Sequence, residues 1–244
     1  WMVLASLKTS LQITNPQEIL SSGFTLENYH RVFAEQNFLP FIVNSGIVGI
    51  SSTLISLLLG APAAYSIART GMRRSAAIIL LARIIPGVSL LVPWYFLFSR
   101  MGLVGGYGVL ILSHMFISLP LIVWILISFF EGIPEELEES AQIDGLTPIG
   151  AFLRIVLPLS APGLATSGIL AFIFSWNNFL FALVLSAQET RTLPVAIYNF
   201  VAYASIDWGG LMAASVLITI PVTVIGLLFQ RHIVSGLTAG ATKG

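Results

Sequence analysis

Glu131-Gly132-Ile133-Pro134-Glu135-Glu136-Leu137-Glu138-Glu139-Ser140-Ala141-Gln142-Ile143-Asp144-Gly145 is a polar island in an otherwise oily chain. The island continues through Phe152 and Ile155 to Leu157-Pro158. Six of the 11 Asp and Glu residues fall between Glu131 and Asp144, and long uncharged segments flank them on both sides. Of the 244 residues, 56% are hydrophobic and 9% charged, against about 25% charged in soluble domains. A soluble fold of this length has no room for so much apolar surface, because its own surface is already more than half apolar. The composition is that of a protein integrated in a membrane.

Outward from the island, five stretches approach the roughly 20 apolar residues that a spanning helix needs. Their charge-free or nearly charge-free runs predict helices at 39–67, 76–98, 107–130, 159–186 and 209–230. The opening Trp1-Met2-Val3-Leu4-Ala5 reads as the tail of a further helix that starts upstream. The expected fold is all-α: a polytopic transmembrane helical bundle of five full spans plus the end of a first helix, forming one transmembrane domain over 1–244. Pro86, Pro93, Pro120, Pro194 and Pro221 lie in or near the spans, where neighbours and water can satisfy the carbonyls they free; kinked helices lining a cavity and ordinary membrane-helix prolines are both consistent with them. Arg83, roughly 12 Å into its span by the helical rise, reads as a side chain snorkelling toward the cytoplasm, with a gating or ion-pair role as the alternative.

Lysine and arginine placement sets the orientation, because short cytoplasmic loops are enriched in both. Arg69, Arg73, Arg74, Arg154, Arg231 and Lys243 fall on one side, and Lys8, Arg31, Arg100 and Arg191 on the other. The first side is therefore assigned to the cytoplasm, together with the 131–158 loop and the C-terminus. Residues 8–38 and 187–208 are assigned outside, with a short helix capped by Thr25 in the first of them. Zero net charge offers no electrostatic case for nucleic acid. The absence of cysteine removes disulfides and thiolate chemistry.

Within the island, Pro134 suits a first helical turn, and the glutamates after it complement the macrodipole. Leu137, Ser140, Ala141 and Asp144 share one face by helical spacing. Gly145 permits the left-handed conformation that ends a helix. Thr147-Pro148 reads as a fresh N-cap with proline at the first position. A second helix follows, with Ile149, Phe152, Leu153 and Val156 on its apolar face. Two short helices thus meet at a glycine pivot. A solvated loop and a docking surface for a soluble partner are both consistent with that pattern.

The run Glu139-Ser140-Ala141-x-x-Asp144-Gly145, followed by Phe152-x-x-Ile155-x-Leu157-Pro158, is similar to the "EAA" loop of ATP-binding-cassette importer permeases. Ser140 stands where alanine is usual, which keeps the residue small. Thr25-Leu26-Glu27-Asn28-Tyr29, Phe174-Ser175-Trp176-Asn177-Asn178-Phe179 and the C-terminal run from Gln230 to Gly244 resemble the carbohydrate-uptake branch, with the maltose/trehalose-type second permease subunit the nearest pattern. The resemblance implies a sugar importer working by alternating access. It implies a second permease subunit, two ATPase subunits and an extracytoplasmic sugar-binding protein as partners, besides the lipid bilayer. It also implies coupling to the ATPase through Glu139, Ser140, Ala141, Asp144, Gly145 and Phe152. The chain has no Gly-x-x-x-x-Gly-Lys phosphate loop, so ATP and Mg are expected on the partner ATPase, with no cofactor, metal or catalytic residue here.

Polar groups inside spans are costly and face protein or water. Asn44, His114, Trp176, Asn177 and Asn178 are therefore the candidates for a substrate path, since amides and aromatic faces are the groups that hold sugars. Interhelical packing is the alternative for each. Two rival functions would each leave a mark in the sequence. A membrane enzyme lacks a catalytic constellation, with His30 and His232 on opposite sides of a core about 30 Å thick. An ion-coupled secondary transporter places carboxylates within its spans, and here none lies inside any span. Glycerol phosphate or another polyol remains an alternative cargo for the importer.

Overall fold

A computed structural model describes residues 1–15, 23–201 and 206–238, the side chains at 73, 83 and 231–238 excepted. Residues 239–244 of the C-terminal motif thus lie outside the described residues, as does the side chain of Arg83. Every named element among the described residues is helical. In chain order they are α1 (Met2–Ser6), α2 (Ser10–Thr14), α3 (Glu27–His30), α4 (Leu39–Thr70), α5 (Arg73–Ile84), α6 (Gly87–Arg100) and α7 (Tyr107–Glu131). Then follow α8 (Glu136–Ile143), α9 (Pro148–Leu159), α10 (Ala161–Trp176), α11 (Leu180–Leu185), α12 (Leu193–Ala196) and α13 (Trp208–Thr238). A π-helical turn, Arg31–Glu35, extends α3, and the Thr25 hydroxyl accepts from the Glu27 amide at 3.1 Å ahead of it.

Three of these helices are long and apolar enough to cross a membrane unbroken: α4 with 32 residues, α7 with 25, and Trp208–Gln230 of α13 with 23. They match the expected spans at 39–67, 107–130 and 209–230. The other two expected spans are not straight helices. The one at 76–98 breaks between α5 and α6, which meet at 82°. Proline disfavours the helical region for the residue before it, and Ile85, ahead of Pro86, is extended at φ −68°, ψ 117°. The span expected at 159–186 bends by 74° where α9 meets α10 and ends at Trp176. Asn177 to Phe179 leave the helix, and the Asn178 side-chain oxygen accepts from the Phe181 amide at 3.2 Å to start α11. An asparagine side chain offers the backbone that alternative to a continuous helix.

The chain forms two compact units, each assembled from three separate segments. One comprises Trp1–Val48, Leu91–Leu110 and Trp176–Gly226. In it, Arg31 pairs with Asp207 at 3.1 Å and reaches the Asn28 side chain at 2.6 Å, while Asn28 donates to the Ser6 and Lys8 carbonyls at 2.8 Å. These bonds fasten α1 and α3 to the start of α13. The other unit comprises Gly49–Leu90, Ile111–Ser175 and Leu227–Gly244. Its core gathers Ala64, Ile122, Leu126, Phe130, Phe152 and Val156 from α4, α7 and α9. Small residues bring these helices close, as is usual where lipid supplies no hydrophobic drive between them. A Cβ on Gly163 of α10 would lie 2.5 Å from the Phe129 ring, and one on Gly60 of α4 would lie 2.9 Å from Ile122. Outward, Ile50, Leu54 and Leu58 form an exposed apolar stripe along α4 at helical spacing, the kind of surface that lipid or another membrane subunit covers.

Candidate functional site

The 131–158 loop folds into two short helices at an angle set by local chemistry. Helix α8 starts at Glu136 with Glu135 at the cap, so Pro134, expected in the first turn, stands outside the helix. It ends where the sequence places its end. Gly145 has φ +94°, the Leu146 amide donates to the Ala141 carbonyl at 3.0 Å, and the Gly145 amide donates to Gln142 at 3.0 Å. That pair of bonds is the six-to-one and five-to-two closure of a left-handed helix end. Thr147 then caps α9 by accepting from the Gly150 amide at 3.1 Å, with Pro148 in the first helical position.

The residues expected on one face do not stay together. Leu137, Ser140 and Asp144 are exposed, whereas Ala141 is buried. Glu139, Gly145 and Ile143 are exposed as well, Ile143 to 85%. On α9, Ile149 and Leu153 face outward, while Phe152 and Val156 turn into the core. Phe152 packs against the Tyr65 ring at 4.5 Å and Phe130 at 6.2 Å. Of the six residues named for coupling, four lie on the outer surface and two, Ala141 and Phe152, attach the loop to its own chain.

The residue that anchors the loop is Glu138, with its side chain only 7% exposed. Arg69, at the end of α4, donates from Nε to Glu138 Oε1 at 2.7 Å. Its Nη1 donates to the Phe130 carbonyl at 2.8 Å and its Nη2 to the Ile133 carbonyl at 3.1 Å. Tyr65, one turn earlier on α4, donates its hydroxyl to Glu138 Oε2. Sequence reasoning gave these three residues no such role. The available signal was Glu138 standing three residues before Ala141, on the same helical face, in a chain whose nearest upstream arginine cluster begins at Arg69.

The candidates inside the spans meet different fates. Asn44 is enclosed and fully bonded: its amide donates to the Glu189 and Arg191 carbonyls at 2.8 and 2.9 Å, and its oxygen accepts from the Tyr107 hydroxyl at 2.7 Å. His114 is buried, with Nδ1 2.6 Å from the Ser175 hydroxyl, which in turn lies 3.1 Å from Ser52. Trp176 is 5% exposed and donates its indole N–H to the Ile218 carbonyl at 3.0 Å. All three hydrogen-bond to neighbouring segments of the chain, and His114 Nε2 is buried with no partner among the described residues. Asn177 and Asn178 lie at the helix break, the first exposed and the second half-buried. Among the described residues no group of His, Cys, Asp and Glu could hold a metal ion.

Residues 56–239 match the family described as binding-protein-dependent transport system inner membrane component. The chain is 40% identical to the trehalose transport system permease protein SugB of Mycobacterium tuberculosis, with all of this chain and 91% of that protein covered. It is 39% identical to the sulfoquinovosyl glycerol transport system permease protein SmoH of Agrobacterium fabrum, over all of this chain and 87% of the relative. Among solved structures, a bacterial ABC transporter involved in the import of the acidic polysaccharide alginate has the same fold. Its TM-score is 0.81 at 20% identity, over 95% of this chain and 88% of that one.

Proposed function

This chain belongs to the family of binding-protein-dependent transport system inner membrane components, and from that membership we propose how its geometry serves transport. It is a multi-pass inner-membrane permease subunit of an ATP-driven sugar importer, and it is a transport component with no enzymatic activity of its own. Its work requires an ATPase and a substrate-binding protein. A second permease subunit and a pair of ATPase subunits complete the assembly in our reading. ATP and Mg are bound by the ATPase. The cargo is a di- or oligosaccharide such as trehalose or maltose, a choice supported by relatives named for those sugars.

The surface offered to the ATPase is the outer face of α8, with Glu139, Ser140, Asp144 and Gly145. One observation carries this: α8 turns Glu138 and Ala141 inward and leaves outward the acidic Glu139, the small Ser140 and the apolar Leu137 and Ile143. A docking face of that kind lets a soluble surface approach closely. It implies that the 131–158 loop and the C-terminus are cytoplasmic and that 8–38 lies outside, in keeping with the arginine bias. Alternating access follows: ATP closes the ATPase pair, the loops move with it, and hydrolysis resets them. Replacing Ser140 with Arg puts a long charged side chain on the exposed face. We expect the ATPase to be lost from the purified complex while the permease still inserts, and full retention would refute the docking face.

For the sugar path, the reading narrows to Asn177 and Asn178. Non-helical backbone within a membrane protein is tolerated where it is buried in protein or lines a watery cavity, and these two amides stand at such a break. Asn177→Ala is expected to raise the half-saturation for sugar uptake several-fold with basal ATP hydrolysis unchanged. An unaltered half-saturation would remove Asn177 from the path.

A further inference from the structure

The contacts of Arg69 reach further than those of any docking residue. One guanidinium at the end of α4 holds the last turn of α7 through Phe130, the following turn through Ile133, and α8 through Glu138. Tyr65 closes the second carboxylate oxygen of Glu138 and packs its ring on Phe152 of α9. Two residues one helical turn apart on a membrane helix therefore grip both helices of the loop. The Arg69 and Glu138 side chains are 14% and 7% exposed. Burying an ion pair brings little net stability, because desolvation offsets the attraction. Such a pair does fix the relative position of the segments it joins. Arginine suits the task, since its rigid fork can bond a carboxylate and two carbonyls together, whereas an ammonium on a flexible stem acts as a point charge.

We propose that Tyr65, Arg69 and Glu138 form the joint that passes movement of α8 to α4, acting as positioning residues that touch neither nucleotide nor sugar. The proposal rests on the reading that α8 docks the ATPase. Without the joint, a push on α8 would be absorbed in the 132–135 turn and at Gly145, and α4 would stay behind. With it, α8, the end of α7 and α4 move as one body.

The test uses the assembled transporter reconstituted with its ATPase, partner permease and binding protein, and reads sugar taken up per ATP hydrolysed. Glu138→Gln and Arg69→Lys are each expected to lower that ratio about tenfold, the ordinary scale of a coupling free energy, with ATPase subunits still present in the purified complex. Tyr65→Phe, which removes one hydrogen bond and keeps the ring, gives a smaller loss and serves if the other variants fail to fold. Glu135→Gln changes the same charge on the same loop outside the joint and keeps the wild-type ratio. Unchanged coupling in the Glu138 and Arg69 variants, or an equal loss with Glu135→Gln, overturns the joint. Loss of the ATPase from the Glu138 variant also overturns it, by assigning that residue to docking. Failure of the wild-type permease to retain any ATPase would sink the docking reading instead, and so is told apart.

Discussion

Glu138 and Glu139 are neighbours in sequence and opposites in environment. The first is enclosed by Arg69 and Tyr65, and the second faces out. Which of two adjacent glutamates is buried depends on where α4 passes, and no local pattern records that. Gly145 is the contrary case, since its φ of +94° follows from being the glycine after a helix. A Cβ there would meet nothing within 4 Å, so the objection to other residues is conformational. Alanine at 145 is expected to cost about 1–2 kcal/mol from left-handed strain, read as a drop in thermal midpoint with coupling retained. Proline cannot reach a positive φ and also removes the amide that bonds Gln142. Gly145→Pro should leave insertion intact and abolish most uptake while ATP is still hydrolysed; a normal transport rate would rule out the pivot. Trp176→Phe keeps an aromatic ring, removes the pyrrole half of the indole with its bond to Ile218, and leaves a small cavity at a buried site. It should cost about 1–3 kcal/mol of stability with the half-saturation for sugar unchanged.

At the scale of elements, three spans were legible because uncharged length alone decides them, and the two that broke were less so. Pro86 was visible as a kink signal, but the 82° between α5 and α6 exceeds what a proline inside a helix gives, because Ile85 leaves the helical region altogether. Pro62, Pro93, Pro120 and Pro221 all remain inside helices. The break at 177–179 was missed, since two asparagines between apolar runs read equally well as buried amides in a continuous span. Helix contacts are also fixed by size. Gly163→Ala would press a Cβ to 2.5 Å from the Phe129 ring, an overpacking expected to cost about 1–3 kcal/mol. Thermal unfolding in detergent would show it, and adding Phe129→Leu should recover part of the loss. No recovery would mean that the strain lies elsewhere.

For the whole molecule, the membrane assignment came directly from composition, and the sidedness of its loops is the part most open to direct test. The chain contains no cysteine, so a single introduced thiol is a clean reporter. Ile143 and Tyr198 are 85% and 57% exposed. In oriented vesicles a membrane-impermeant maleimide should reach Ile143→Cys only from the cytoplasmic side and Tyr198→Cys only from the outside. Labelling of both from one side would reverse or dismantle the proposed topology. The permease domain expected over 1–244 comprises two compact units, each drawing on segments far apart in sequence. The anchors of the 131–158 loop and the core residues belong to the same unit, so the loop is continuous with that core and does not hang from it.

By itself the sequence determined that this is a membrane protein, where its three unbroken spans run, and where the 131–158 loop turns. Those features depend on apolar length and on the conformational preferences of single residues such as Gly145, Thr147 and Pro148. Only the tertiary structure decided that Glu138 is the anchor, that Phe152 points inward, and that Asn44 binds the backbone of residues 145 and 147 positions away. The reason is physical: burial and hydrogen-bond partnership are properties of what another segment brings alongside, and a side chain carries no local mark of its distant neighbour.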